Sequence, residues 1–169
     1  MVVTRMERVG NVWIAANAAV TGDVTFGDDV SVWFAASVRG DDAPVTIGAG
    51  TNLQDHVMVH ADPGIPNEVG ASIVVGHGAI LHGAKVGDRC LIGMGSILLT
   101  GSKVGEECII AAGAVVTERC VIPPRSVVMG VPGRVVREIT DDEVKDILWS
   151  VDHYVQRARE HEEGKYVDG

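Results

Sequence analysis

Aromatic residues are scarce, with two Phe, two Tyr and three Trp among 169 residues. That rules out a core organised around large ring anchors. Basic charge is short as well: 14 Lys and Arg stand against 23 Asp and Glu, for a net charge of -9. A nucleic-acid or anionic-membrane partner needs a basic surface, so neither is expected. Cysteine occurs three times, at Cys90, Cys108 and Cys120, too few and too odd a number for a disulfide framework. No run of about 18 apolar residues is present, which excludes a spanning helix. The opening stretch Met1-Val2-Val3-Thr4-Arg5 lacks a signal-peptide hydrophobic region. Together these absences lead to the expectation of a protein in a reducing cytoplasm.

What is abundant is small and aliphatic. Ile, Leu and Val number 47 and Gly 21, and their arrangement is periodic. Val74, Ile80, Val86, Ile92, Leu98, Val104, Ile110, Val116, Ile122 and Val128 follow one another at six-residue steps. At this composition one preset phase would do so by chance roughly three times in a million. The same step joins Ile14, Val20, Phe26, Val32 and Val38, then Ile47, Leu53 and Val59, with phase breaks at 39–46 and 60–73. Four residues after these positions the side chain is usually small, as at Ala36, Ala84, Cys90, Ser96, Ser102, Cys108 and Ala114. Gly often follows the apolar residue directly, as at Gly87, Gly93 and Gly105.

A helix requires period 3.6 and an amphipathic strand period 2. Period six with Gly punctuation fits a short strand and a tight turn, repeated as a solenoid whose rungs satisfy one another by stacking. Each apolar residue of the series is expected to point inward, and each small one to occupy a crowded corner. After the repeats, Thr140-Asp141-Asp142-Glu143 reads as a capping box opening a helix. Val144, Ile147, Leu148, Val151, Tyr154, Val155 and Ala158 supply its apolar stripe, while the tail from Glu160 is expected to fray.

The pattern resembles the hexapeptide-repeat proteins, in which three hexapeptides make each coil. The resemblance, not the spacing, implies a left hand. The expected architecture is all-β: a left-handed parallel β-helix of about six coils with a C-terminal α-helix. Residues 1–137 would form the β-helix and residues 138–169 the helix and tail packed on it.

Six histidines occur, and His60, His77 and His82 gather around the second phase break. Small neighbours in Gly76-His77-Gly78 and Leu81-His82-Gly83 leave room around the imidazoles. Three histidines could bind zinc and leave a fourth position open, as catalytic sites do; equally, they could be surface residues on solenoid faces. Geometry constrains the first alternative. Five residues of extended chain span about 16 Å, whereas zinc binds imidazole nitrogens at about 2.1 Å. One subunit could hardly supply both His77 and His82 to one ion, but two neighbours in a cyclic oligomer could.

Upstream stand Arg39-Gly40-Asp41-Asp42 and Asn52-Leu53-Gln54-Asp55. The order Arg-x-Asp, Asn-x-Gln-Asp, His60, His77, His82 resembles the γ-class carbonic anhydrase family over roughly residues 10–137. That resemblance implies a homotrimer hydrating carbon dioxide to bicarbonate at three interfacial metal sites, with His60 and His82 from one subunit and His77 from the next. It implies that Gln54 hydrogen-bonds the metal-bound hydroxide and that Asn52 holds the network. Arg39, Asp41 and Asp55 would form ion pairs near the site and across the interface. The implied ion is Zn2+, with Fe2+ or Co2+ equally suited to three imidazoles.

The match departs from the best-known members in one region. Those carry an acidic loop of proton-shuttling glutamates, whereas here Ala61-Asp62-Pro63-Gly64-Ile65-Pro66-Asn67-Glu68 holds a single Glu and two prolines, and Asp42 replaces a shuttle-region Glu. Other candidates have simpler explanations. His56 is expected to be exposed, His153 and His161 solvated, and the three cysteines packed in corners. No serine sits in a nucleophile elbow. Two further functions share the repeat: an acyltransferase or thioesterase taking acyl-coenzyme A, and a non-catalytic metal-binding scaffold.

Overall fold

The computed structural model describes residues 5–166. Its short strands wind into a parallel β-solenoid of about six turns, with three faces and one C-terminal helix. The first face stacks Val12–Ala15, Ser31–Val32, Asn52–Leu53, Val74–Val75, Leu91–Ile92, Ile109–Ile110 and Ser126–Met129 in parallel. Antiparallel strands Met6–Val9 and Arg134–Glu138 close its two ends. The second face runs from the first halves of the long strands Ala19–Phe26 and Ser37–Ile47 through Met58–His60, Ile80–His82, Ile97–Leu98 and Val115–Val116. The second halves of the same long strands begin the third face, which continues through Asn67–Val69, Lys85–Val86, Lys103–Val104 and Val121–Ile122.

Most of these strands are only two or three residues long, so none could hold itself together; each is stable because its neighbours complete its hydrogen bonds and bury its inward side chain. Val32, Val38, Ile47, Leu53, Val59, Ile92, Leu98, Ile110 and Val128 are wholly buried. Two members of the six-residue series depart from the expectation. Register pairs Leu53 with Val75 and Val59 with Leu81, so Val75 and Leu81 point inward while Val74 and Ile80 point out. Val74 packs against the helix, and Ile80 lies half-buried on the second face. The chain makes up the offset between Leu81 and Val86, where the corner is one residue shorter.

Glycine follows the inward residue because adjacent coils touch backbone to backbone there: a Cβ on Gly105 would lie 2.4 Å from Pro124 N. Cys90 and Cys108 occupy the small-residue corner, fully buried, with the Cys108 amide donating to Cys90 Sγ at 3.3 Å. Contact with Cys108 and burial both push the Cys90 thiol up, which makes it inert as a nucleophile.

Helix α1 (Asp141–Glu162) begins with the expected capping box. Thr140 Oγ1 accepts from the Glu143 amide at 3.2 Å, and Glu143 Oε2 accepts from the Thr140 amide at 2.9 Å. Ile147 and Val151 bury themselves against Val74 and Val127 of the first face, and Ala158 packs near Trp13 and Trp33. Leu148 lies outside this stripe and is exposed.

The tail differs from expectation, since α1 stays packed through its last turn. Trp13 Nε1 donates to Glu162 Oε2 at 2.7 Å, and the His161 ring meets Trp33 and Phe34 edge-on at 5.4 and 5.6 Å. Burial, together with the charge of Arg157, lowers the His161 pKa against the opposing pull of Asp55 and Glu160. His161 is therefore a packing residue rather than a solvated one. Among the described residues no helix is long and apolar enough to cross a membrane.

Candidate metal centre

His60 and His82 end neighbouring strands of the second face and are register partners. Their inward neighbours Val59 and Leu81 are wholly buried, which turns both imidazoles outward and sets them side by side. His60 Nδ1 stands 3.4 Å from His82 Nε2. Beneath them the buried Asn67 amide donates to the carbonyls of His60 at 3.0 Å and Leu81 at 2.7 Å, tying the two strands together.

The other nitrogen of His60 faces two carboxylates, with Nε2 3.0 Å from Asp41 Oδ1 and 3.3 Å from Asp42 Oδ2. Asp41, Asp42 and His60 present ligand atoms within 4.8 Å of one another. A carboxylate only accepts, so neutral His60 carries its proton on Nε2 and presents a Nδ1 lone pair towards His82. Two nitrogens each bound at 2.0–2.1 Å to a tetrahedral zinc lie about 3.3 Å apart. The ring pair therefore has the spacing of one edge of such a site. The carboxylate behind His60 is the outer partner that metal-binding imidazoles usually have.

Asp41 is in turn held by Arg39, whose guanidinium donates to Oδ2 at 2.6 Å. Desolvation works against ionisation of Asp41, but its own backbone amide, the Arg39 charge and the His60 ring hold its carboxyl below the usual range.

His77 lies elsewhere. It sits exposed in the corner between the first and second faces, in a turn that places Gly78 at φ +68°. Its Nδ1 is 2.8 Å from Asp55 Oδ2 on the preceding coil. The same corner carries Gln54, whose Nε2 donates to Asn52 Oδ1 at 3.2 Å, while Asn52 Nδ2 donates to the Ile73 carbonyl at 3.4 Å. This chain leaves the Gln54 amide oxygen as the free acceptor. The site residues thus form two groups at opposite edges of the second face: Arg39, Asp41, His60 and His82 at one, and Asn52, Gln54, Asp55 and His77 at the other. Within one chain Asp55 pairs with His77 and Arg39 with Asp41.

Thr100 carries no mark in the sequence that sets it apart as a site residue. Its hydroxyl lies 3.1 Å from His82 Nδ1 and donates to Asp62 Oδ2 at 2.8 Å. Its 18-residue offset from His82, one coil of three hexapeptides, is the signal that could have found it. His56 is exposed in a left-handed turn position, as expected for a residue outside the site. His153 stacks on Trp149 at 5.1 Å and accepts from Arg157 Nε at 3.3 Å.

Residues 83–118 match the bacterial transferase hexapeptide family (six repeats). A Bacillus cereus protein provisionally described as an acetyltransferase superimposes with a TM-score of 0.89 at 36% identity, over 92% of this chain and 90% of that one. Coil geometry and repeat together define a hexapeptide-repeat β-solenoid protein. The chain is 49% identical over 146 residues to a Methanocaldococcus jannaschii protein named probable carbonic anhydrase, covering 86% of this chain and 92% of that one. It is also 36% identical over 157 residues to gamma carbonic anhydrase 2, mitochondrial, of Arabidopsis thaliana, covering 89% of this chain and 56% of that one. Within the hexapeptide class, the chain belongs to the γ-class carbonic anhydrase family.

Proposed function

We propose that this protein is a metal-dependent carbonic anhydrase that hydrates carbon dioxide to bicarbonate at the subunit interfaces of a cytoplasmic homotrimer, with zinc as its ion. The observation that carries the proposal is the convergence of His60 Nδ1 and His82 Nε2 at 3.4 Å. His60 and His82 of one subunit and His77 of the partner subunit would hold the ion. A divalent ion bound there supplies a Lewis acid able to bring water to hydroxide near neutral pH.

The chain's own residues do the rest. Asp41 and Asp42 hold the His60 proton on Nε2. Arg39 anchors Asp41 from the solvent side. Gln54, its amide fixed by Asn52, offers a free acceptor that orients the reacting groups. Three buried or half-buried cysteines without a disulfide suit a reducing compartment.

Support for the trimer comes from the second face. Met58, Ile80, Ile97 and Val115 are register neighbours that alternate with inward Val59, Leu81, Leu98 and Val116, so they form an outward apolar stripe. Helix α1 covers the first face, and the third presents Glu68, Lys85 and Lys103; among the described residues nothing covers the stripe on the second. A second copy laid along it would bring its own His77 corner towards the first copy's His60 and His82, joining the two half-sites.

The test is stopped-flow carbon dioxide hydration on zinc-loaded protein beside His60→Ala. Zinc-dependent turnover that disappears in the variant supports the proposal; no turnover at full zinc occupancy refutes it. The description of the Bacillus cereus protein favours acetyl transfer as a second function. Saturable binding of acetyl-coenzyme A by this chain would support that one.

A further inference from the structure

We propose that Asp62, acting through Thr100, fixes the tautomer of His82 and thereby keeps its Nε2 available as a ligand atom. The inference rests on the metal-binding function proposed above and deepens it, because it concerns two residues that the function did not use.

Proton accounting decides the tautomer. Thr100 Oγ1 is 3.1 Å from His82 Nδ1 and 2.8 Å from Asp62 Oδ2, whereas Asp62 itself is 3.9 Å from the ring. A hydroxyl has one proton to donate, and an ionised carboxylate has none. The Thr100 proton therefore goes to Asp62, as a charge-assisted bond. Thr100 can then meet the ring only as an acceptor, so neutral His82 must carry its proton on Nδ1. Its Nε2 is left as a lone pair, 3.4 Å from the Nδ1 lone pair that Asp41 and Asp42 impose on His60.

The alternative state shows why this matters. Were His82 protonated on Nε2, it would donate to His60 Nδ1, and the two rings would satisfy each other in a plain hydrogen bond that shuts the ligand pair. Reaching that state requires Thr100 to turn its proton towards His82, leaving Asp62 without its donor. Asp62 thus acts as a positioning residue at one remove: it holds apart two lone pairs that would otherwise find a proton between them. Backbone geometry supports the relay. Thr100 stands one coil after His82 at the same corner, where Gly101 N donates to the Gly83 carbonyl at 2.8 Å, and Asp62 is fixed in its loop by the Ile65 amide at 3.0 Å.

The experiment is histidine side-chain NMR on the metal-free protein at a pH where the imidazoles are neutral, paired with zinc affinity by chelator competition. Four proteins are compared: wild type, Asp62→Ala, Thr100→Val and Thr100→Ser. Wild type and Thr100→Ser should show His82 as the Nδ1–H tautomer. Asp62→Ala and Thr100→Val should move it to Nε2–H and weaken zinc binding about 10- to 100-fold. Thr100→Val is nearly isosteric and the Asp62 side chain is half-exposed in its loop, so unchanged circular dichroism separates the effect from misfolding. An Nε2–H tautomer in wild type, or an unmoved tautomer in Asp62→Ala, overturns the proposal, as does unchanged zinc affinity in both variants. Tautomers that shift as stated in a wild-type protein that binds no zinc would uphold the positioning of His82 and remove the metal-binding function instead.

Discussion

His77 Nδ1 lies 2.8 Å from Asp55 Oδ2, across the width of the second face from the His60–His82 pair. That separation makes shared ligation the point most open to refutation. His77→Ala and His82→Ala homomers should each lose zinc. Co-refolding them in equal amounts should restore about one interface in four, because an intact site needs His82 from one parent and His77 from the other. Zinc analysis of the mixed oligomer checks the outcome. Retention of one zinc per subunit in the His82→Ala homomer would sink the three-histidine site.

Gln54 is buried, with its amide nitrogen donating to Asn52, which leaves its amide oxygen as a free acceptor. Gln54→Leu keeps the volume and removes that acceptor. Zinc content and oligomeric state should be unchanged, while kcat/KM for hydration falls by about 10²- to 10³-fold, the usual effect of losing one oriented hydrogen-bonding group. A variant with wild-type kcat/KM would remove Gln54 from the reaction.

Gly40 stands between Arg39 and Asp41 because its Cα faces the backbone of the preceding coil. A Cβ there would lie 2.1 Å from the Asp23 carbonyl oxygen and 2.6 Å from its carbon. Gly40→Ala must push two coils apart and draw Asp41 away from His60. Denaturant unfolding should register a loss of about 1–3 kcal/mol, typical of overpacking, accompanied by weaker zinc binding. Asp41→Asn, which leaves the coils in place, should weaken zinc binding with a much smaller change in stability. Wild-type stability in Gly40→Ala would show that the coils yield without cost.

How far the sequence could be read follows from which contacts are local. The solenoid is legible because one inward aliphatic every six residues is a strict requirement of stacking two-residue strands. The phase across the second break is not: Val74 and Ile80 are as apolar as Val75 and Leu81, and only pairing with Leu53 and Val59 decides which pair faces inward. His60, His77 and His82 stand out as polar residues on an aliphatic scaffold. Thr100 and Asp62 do not, because a hydroxyl or a loop carboxylate gains its role only when coils place it against an imidazole. The tail of α1 is illegible in the sequence for a related reason. Glu162 bonds Trp13, 149 residues away, and His161 packs on Trp33 and Phe34; no local composition announces those anchors.

The N-terminus of α1 should be sensitive to acid. Glu143 receives two bonds from Arg137, at 2.7 and 2.8 Å, and one from the Thr140 amide, and these lower its pKa from 4.5 to about 2. A carboxylate whose folded pKa is depressed binds fewer protons folded than unfolded, so stability rises with pH across the interval between the two values. The contribution of Glu143 is therefore complete above about pH 4.5 and is lost as pH falls towards 2. Glu143→Gln keeps acceptors for the capping box but removes the charge that answers Arg137. It should be less stable than wild type at neutral pH, and the difference should shrink steadily between pH 4.5 and 2. Other carboxylates titrate in the same window, Glu160 beside Lys165 among them, so the informative quantity is the wild-type-minus-variant difference in midpoint at each pH. Hydrogen exchange of the first turn of α1 locates the change. A difference that stays constant across the window would mean that the Arg137–Glu143 pair contributes nothing and that the neutral capping box alone starts the helix.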